Sequence, residues 1–454
     1  MIQDKTDLFA EKPVPSAVLA LAIPTIISQL ITVIYNMADT FFVGQMGDPA
    51  KVAAVSVAMP AFILLTGIAN LFGLGGASLI SRRLGISDTE SAKNIASFCI
   101  VCGVGIALVY GIFVAICRPF LLPLLGATAD TYEYAYQYVL WTTTIGGVFT
   151  VSNALLAHLV RAEGAARPAG FGVALGGILN IILDPIFIFT FHLGLTGAAM
   201  ATMLSNCIAV AYYAAYLMRH RTPTVVCFRL SKEMFLNRIA IEVCRSGLRG
   251  IVMAMMSVLS NATLTKLVSN YSTEAIAGIG IAKKIDTMAY CIAQGLTQGV
   301  LPLLGYNFAA GNLKRVQKTI RFTLMFGLAL AFLMLAGMYL FAPQITRCFI
   351  DDAQTVMYGQ RFLRIICFVC PTTCVSFLII TVYQAFGKKI QPLLLSFLRK
   401  GCLDVPLMFW LNSIIGVYGI AWATPIADWL CFLVSVILFF PTFRSIQRKI
   451  GAAV

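Results

Sequence analysis

The sequence predicts an all-α integral membrane protein of twelve transmembrane helices. They form two six-helix bundles related by a pseudo-two-fold axis along the membrane normal. Three observations lead there. Apolar residues make up 59% of the 454 and charged residues only 11%, with mean hydropathy +0.87, where a soluble domain carries about 25% charged residues. The apolar residues run in continuous stretches, and a spanning helix needs roughly 20 of them; an outer-membrane barrel would alternate with a period of two. The chain also resembles itself at an offset of 222 to 225 residues. These features exclude a soluble enzyme, a disordered chain and a fibrous protein.

Taken in order, the first stretch, 16–43, is of spanning length and follows a polar start, so no cleavable signal peptide is expected. It carries Pro24, Tyr35, Asn36 and Asp39. Stretches at 52–80, 94–117 and 134–157 follow; the first of these runs into the basic pair Arg82 and Arg83. The fifth, 169–191, holds Asn180, Asp184 and Pro185, and the sixth, 195–218, holds Thr202. A basic segment at 219–240 separates the halves, giving bundles at 1–218 and 241–454. The second half repeats the pattern at 241–268, 275–304, 319–341, 362–385, 392–412 and 418–441. Several stretches contain Gly, Pro or polar residues, which places parts of them against something other than lipid.

The repeat is visible residue by residue. Gly194-Leu195-Thr196-Gly197-Ala198-Ala199-Met200-Ala201-Thr202 aligns with Gly416-Val417-Tyr418-Gly419-Ile420-Ala421-Trp422-Ala423-Thr424. Gly164 and Pro168 match Gly387 and Pro392, Asn36 matches Asn261, and Asn206 matches Asp428. A near-constant offset along the chain is the mark of duplication. Six helices per half give both halves the same orientation, so the axis relating them lies along the membrane normal, and a binding site is expected at the repeat interface.

The net charge of +14 needs no nucleic acid to explain it. Of the 33 basic residues, 25 fall in the N-terminus, the C-terminus and alternate loops, the loop after helix 10 being read to include Lys388, Lys389, Arg399 and Lys400. The positive-inside rule then places both termini in the cytoplasm. The 13 cysteines sit mostly within apolar stretches, where they act as small hydrophobes, so no disulfide framework is expected.

Ionisable residues inside spanning segments are costly and are functional candidates by default. Asp39, Asp184, Asp286, Asp404 and Asp428 qualify. At 1.5 Å per residue, Asp184 lies about 24 Å along helix 5 from Pro168, with Asn180 one turn below it on the same face. Asp39 is near the outer end of helix 1, and Thr202 lies about 10 Å into helix 6. These four share the outer half of the N-terminal bundle. Two carboxylates, an amide and a hydroxyl offer hard oxygens that can hold a small cation such as Na⁺ or share a proton. The alternative is that Asp39 caps helix 1 and Asp184 satisfies neighbouring hydroxyls. Pro185 removes a backbone donor just after Asp184 and makes the helix bendable there.

Asp286 is expected to pair with Lys283, structurally or at the border of a cavity. Asp404, four residues past Lys400, is expected at the cytoplasmic interface. Asp428 is a second-site candidate. Met253, Met255 and Met256 suit adaptable binding of flat apolar compounds, or ordinary packing. Cys367, Cys370 and Cys374 share a face of helix 10, but no histidine is near enough to make a soft-metal site with them.

These residues resemble a known family. Tyr35-Asn36-Met37-Ala38-Asp39-Thr40-Phe41-Phe42-Val43-Gly44 is similar to the first-helix signature of the multidrug and toxic compound extrusion (MATE) transporters. Asn180-Ile181-Ile182-Leu183-Asp184-Pro185-Ile186-Phe187 resembles their fifth-helix signature. Gly194 to Thr202, Ser81 to Gly85, Pro302 to Asn307 and Pro425 to Asp428 resemble further family patterns in order, so the likeness covers nearly the whole chain.

The resemblance implies a V-shaped pair of bundles with a central cleft. It implies export of amphipathic, often cationic, compounds in exchange for H⁺ or Na⁺, with no other cofactor. In the branch resembling DinF the coupling ion binds in the N-terminal bundle, at positions matching Asp39, Asn180, Asp184 and Thr202. Another branch uses carboxylates in helices 7 and 10. Here helix 7 offers Ser257, Ser260, Asn261 and Thr263, and helix 10 offers Pro371, Thr372 and Thr373, which favours the DinF-like branch. Tyr35, Asn36, Met253, Met256, Asp286 and Asp428 are the candidates for the substrate cleft or a second site. A monomer in the bacterial inner membrane is expected, meeting lipid and small molecules but no nucleic acid.

Two rival classes lack their chemistry. A lipid-linked precursor flippase needs a strongly basic cavity, and the embedded bases are read as few, mainly Lys283 and Lys284. A prenyltransferase needs clustered aspartates for Mg²⁺ and diphosphate, and no spanning stretch offers them. Export of one specific native metabolite stays open beside drug export.

Overall fold

In a bilayer every peptide group must find its partner within the chain, and a helix achieves this segment by segment. The computed structural model describes residues 7–220, 224–229, 239–350, 352–388 and 390–451, and among these the apolar stretches form helices and no strand occurs. In chain order, α1 is Val14–Gly44, α2 Pro49–Gly85 and α3 Thr89–Leu124. The broken helix α4 is Ala129–Ile145 and Gly147–Ala162, bent by 48°. Then come α5, Ala166–Thr190, and α6, Gly194–Arg219. In the second half α7 is Ile239–Val268, α8 Thr273–Ala309, α9 Leu313–Leu340 and α10 Ala353–Ala385. The interrupted α11 is Ile390–Phe397, a π-helical turn Leu398–Leu403 and Asp404–Ile415, and α12 is Val417–Gly451.

Helix starts follow the polar residues that precede them. The side chains of Asp48, Asp88, Ser272, Asn312 and Asp352 each accept from a first-turn amide of α2, α3, α8, α9 and α10. Each satisfies one of the amides that a helix leaves without an internal partner. Nine helices among the described residues are long and apolar enough to cross a membrane, and α4 makes a tenth if its bent halves count as one span. The remaining two carry the charges: α8 has Lys283, Lys284 and Asp286, and α11 has Arg399, Lys400 and Asp404.

The helices gather into two units. One runs from Ile23 in α1 to Ile251 in α7, and the other joins Pro13–Ala22 to the chain from Val252 onward. Helices α1 and α7 therefore each contribute to both. Most of the expected linker 219–240, including Arg221, Lys232 and Arg238, lies outside the described residues, as do Lys5, Asp351 and Lys389. Residues 224–229 fold back onto the N-terminal unit. There Thr224 Oγ1 and the Val225 amide donate to Glu163 at 2.7 and 3.0 Å, and Val225 and Val226 join a core with Phe72, Phe98, Leu155 and Tyr213.

In the C-terminal unit α10 is the central element, buried at every position of Val369–Ala385 but Val375. Its hydroxyls at Thr372 and Thr373 bond to Val369 O and to Asp428 respectively. The duplication also appears in the backbone. Gly164 and Gly387, at φ +90° and +71°, end α4 and α10, and Gly194 and Gly416, at φ +56° and +68°, open α6 and α12. All four occupy a region that L side chains avoid, so the repeat preserves glycine where geometry requires it.

Candidate functional site

The N-terminal unit brings α1 against α5 through two glycines. A Cβ at Gly170 would lie 2.8 Å from the Pro24 carbonyl oxygen, and one at Gly177 would lie 2.8 Å from Ile31 and 2.9 Å from Tyr35. Small residues at a helix contact let backbones approach closely, and this contact carries the Asp39 end of α1 towards α5. On the other side of α5, a Cβ at Gly197 of α6 would lie 2.7 Å from the backbone of Phe187. Phe187 belongs to a π-helical turn, Ile186–Thr190, that begins just after Asp184-Pro185.

Asp184 is fully buried. The Asn180 amide donates to Asp184 Oδ1 at 3.2 Å and to Thr202 Oγ1 at 3.3 Å, and the Thr202 hydroxyl donates to Ala198 O at 3.1 Å. The structure thus joins three of the four sequence candidates directly. Asp39 lies close enough to act electrostatically on Asp184. Three enclosed oxygens lack a hydrogen-bond partner: Asp39 Oδ1, Asn180 Oδ1 and Asp184 Oδ2. No base pairs with either carboxylate among the described residues.

The sequence reading missed Tyr138. Its phenol lies near enough to Asp39 for the two to interact electrostatically, and it sits just before the π-helical turn Leu140–Ile145 of α4. Tyr35 is half-buried over Gly177, whereas Asn36 is exposed. Behind the site, Asn206 donates to Thr202 O and accepts from Asn153, both at 2.8 Å.

These donors fit a small monovalent ion or protons. Two carboxylates with an amide and a hydroxyl supply only hard oxygens and modest charge, and three of those oxygens are enclosed without partners. No group of three or more His, Cys, Asp or Glu gathers among the described residues, so a multi-carboxylate cage for a divalent ion is not formed there.

The C-terminal unit requires a correction. Arg399 and Lys400, read as loop residues, and Asp404, read as interfacial, are part of a buried ionic network. Arg399 is 3% exposed, Asp404 fully buried and Asp428 2% exposed. Arg399 Nη2 donates to Asp428 Oδ2 at 2.7 Å and to Thr373 Oγ1 at 2.8 Å, while its Nε meets Asp428 Oδ1. Lys400 pairs with Asp404 at 3.3 Å, and Ser260 donates to the same carboxylate oxygen at 2.6 Å. Lys283 and Asp286 do face each other, but at 3.8 Å. Arg399 and Lys400 thus add to the embedded bases, and they and Lys283 each face an acid. Burial is tolerated because the charges are paired and hydrogen-bonded.

The repeat shows what differs between the halves. Thr150 and Asn206 are 3.5 Å apart, and their equivalents Thr373 and Asp428 are 3.2 Å apart. Thr202 accepts from Asn180, and its equivalent Thr424 accepts from Lys283 at 3.5 Å. Met253 and Met256 lie in the C-terminal unit, away from the N-terminal four in the chain. Met253 sulfur is 4.0 Å from the Tyr290 hydroxyl, and Met256 packs where a side chain on Gly401 would sit. Cys367, Cys370 and Cys374 are buried free thiols in α10.

The sequence pattern of the MatE family matches residues 24–186 and 250–410. The multidrug export protein MepA of Staphylococcus aureus (strain NCTC 8325 / PS 47) is 28% identical over 435 residues, 95% of each chain. MepA of Staphylococcus saprophyticus is 27% identical over 432 residues, also 95% of each. Among solved structures, MATE in complex with MaD3S superposes with a TM-score of 0.89 at 23% identity, covering 97% and 98% of the two chains. An outward-facing multidrug resistance MATE family transporter of the MOP superfamily gives 0.86 at 24% identity, covering 95% and 96%. These two share the fold, twelve helices in two bundles.

Proposed function

The chain belongs to the MatE family, and from that premise we propose that it is a secondary active antiporter, exporting amphipathic, often cationic, compounds in exchange for H⁺ or Na⁺. It works as a monomer in the bacterial cell membrane, with both termini in the cytoplasm. The export function draws support from the multidrug export proteins it resembles along 95% of its length. One observation carries the coupling. Asp184 is buried with no base beside it, and it shares with Asp39 and Asn180 a set of enclosed oxygens that lack partners. A buried anion in that condition has a strong demand for a cation or a proton.

The coupling ion shifts the transporter only through a difference in its affinity for two states. Binding at Asp39 and Asp184 supplies that difference. Asn180, which bonds both Asp184 and Thr202, passes a change at α5 to α6. The turn after Pro185, already widened from α to π, lets α5 bend at the site. One positive charge moving inward down 100 mV yields about 2.3 kcal/mol, which supports roughly a 50-fold gradient of a neutral compound.

The test is ethidium transport in proteoliposomes under an imposed pH gradient and then a Na⁺ gradient. Wild type should respond to one gradient, naming the ion, and Asp184→Asn should respond to neither. Undiminished gradient-driven export by Asp184→Asn would overturn the assignment. Thr202→Ala, which removes a neutral oxygen ligand, should impair a Na⁺-driven cycle more than an H⁺-driven one.

A further inference from the structure

The C-terminal unit holds a polar cavity that ion coupling does not use. It measures about 30 Å³ and is walled by Asp286 and Tyr290 of α8, Thr373 of α10, Arg399 of α11, and Thr424 and Asp428 of α12. A void of this size admits one water-sized group. Two of its walls have hydrogen-bonding capacity in reserve. Arg399 is 3% exposed, and its Nη1 has no acceptor. The rest of that guanidinium is fixed by Asp428 and Thr373, and the Phe377 ring lies 5.0 Å from it, so the donor is held in place. Asp286 is the opposite case. It stands 3.8 Å from Lys283, too far for a direct hydrogen bond, and the two side chains are 19% and 20% exposed. Its carboxylate can turn to a ligand.

Charge decides what kind of ligand fits. Lys283, Arg399 and Lys400 balance Asp286, Asp404 and Asp428. An ion entering alone would leave one charge buried without compensation. A neutral group that donates and accepts at once meets both open valences and leaves the balance intact. We propose that this cavity is a recognition site for a hydroxyl of the exported compound, which donates to Asp286 and accepts from Arg399 Nη1, a water taking its place when no such compound is bound. An apolar cavity of about 20 Å³, walled in part by Leu296, Met334 and Cys374, shares Ala289 and Cys370 with the polar one. It suits the carbon next to the hydroxyl, so the favoured group is a hydroxyalkyl. The inference rests on the export reading for the source of the compound.

The probe is a pair of fluorescent aryl-ammonium dyes that differ only in carrying an N-(2-hydroxyethyl) or an N-ethyl group. Binding is read directly on the full chain in lipid nanodiscs. Wild type should bind the hydroxyethyl dye about five- to tenfold more tightly, the range expected when hydrogen bonds to charged groups replace those of an ordered water. Lys283→Met/Asp286→Leu removes acid and base together, and the preference for the hydroxyethyl over the ethyl dye should fall below about twofold. Where that variant does not fold, the near-isosteric Lys283→Gln/Asp286→Asn should reduce the preference at least about threefold, since neutral acceptors bond more weakly. Equal wild-type affinities, or a preference that survives either double variant, would overturn the site. Gradient-driven efflux of the two dyes is measured separately: its absence in wild type counts against export, and the binding ratio still decides the hydroxyl site.

Discussion

Asp184 and Asp428 are both buried carboxylates, and their surroundings set them apart. Asp428 is clamped by Arg399 and Thr373, whereas Asp184 meets only neutral partners. Removing one member of a buried pair leaves the other charged and alone, at a cost of about 3–5 kcal/mol. Asp428→Asn should therefore lower thermal stability in detergent strongly, and Arg399→Met/Asp428→Leu should recover most of the loss. Asp184→Asn breaks no ion pair and should leave the unfolding temperature nearly unchanged while export is lost. The residues of the N-terminal cluster were legible because each is polar, stands in an apolar stretch and falls at a calculable depth. Tyr138 was not, since a tyrosine in a helix reads as packing and only the tertiary fold brings Asp39 near it. Arg399 and Lys400 were misread for a related reason. Next to Lys388 they continue a basic loop in sequence, and only the carboxylates of Asp404 and Asp428, contributed by tertiary contact, make their burial tolerable.

At the scale of the element, every expected helix was legible from its apolar run, but of the breaks within helices only that of α5 was. Pro185 flags the π-helical turn of α5. The corresponding turn of α4, Leu-Trp-Thr-Thr-Thr-Ile, has no such flag. It belongs to a close approach instead, since a Cβ on Gly111 of α3 would lie 2.8 Å from the Thr144 carbonyl oxygen. Close approach also gives a paired prediction. Gly197→Ala would push a methyl to 2.7 Å from the Phe187 backbone, which cannot yield as a flexible side-chain end could. Overpacking of this kind costs about 1–3 kcal/mol. Gly105→Ala in α3 meets nothing within 4 Å and gains helix propensity, worth up to about 1 kcal/mol. Unfolding temperatures of the two variants in one detergent should move in opposite directions; equal shifts would mean that the α5–α6 contact does not constrain the site.

Across the whole molecule, duplication has produced two units with the same helical plan and opposite electrostatic condition. Thr150 and Thr373, Asn206 and Asp428, and Thr202 and Thr424 occupy equivalent places, yet among the described residues the acids inside the spanning helices, Asp39 and Asp184 in the first half and Asp404 and Asp428 in the second, have bases within bonding distance only in the second. A carboxylate already neutralised by a tethered ammonium or guanidinium has little demand for an ion from solution. One left among neutral oxygens retains that demand. Coupling should therefore reside in the N-terminal unit alone, and the two halves should respond differently to matched removal of charge. Asp39→Asn should abolish gradient-driven ethidium export, as Asp184→Asn does. Lys400→Gln/Asp404→Asn, which deletes one acid and one base from the C-terminal network, should keep both the dependence on the driving gradient and the ion that drives it. Loss of ion dependence in the C-terminal double variant, with export retained in Asp39→Asn, would reverse the assignment and place the exchangeable charge in the half where Asp404 and Asp428 are paired with bases.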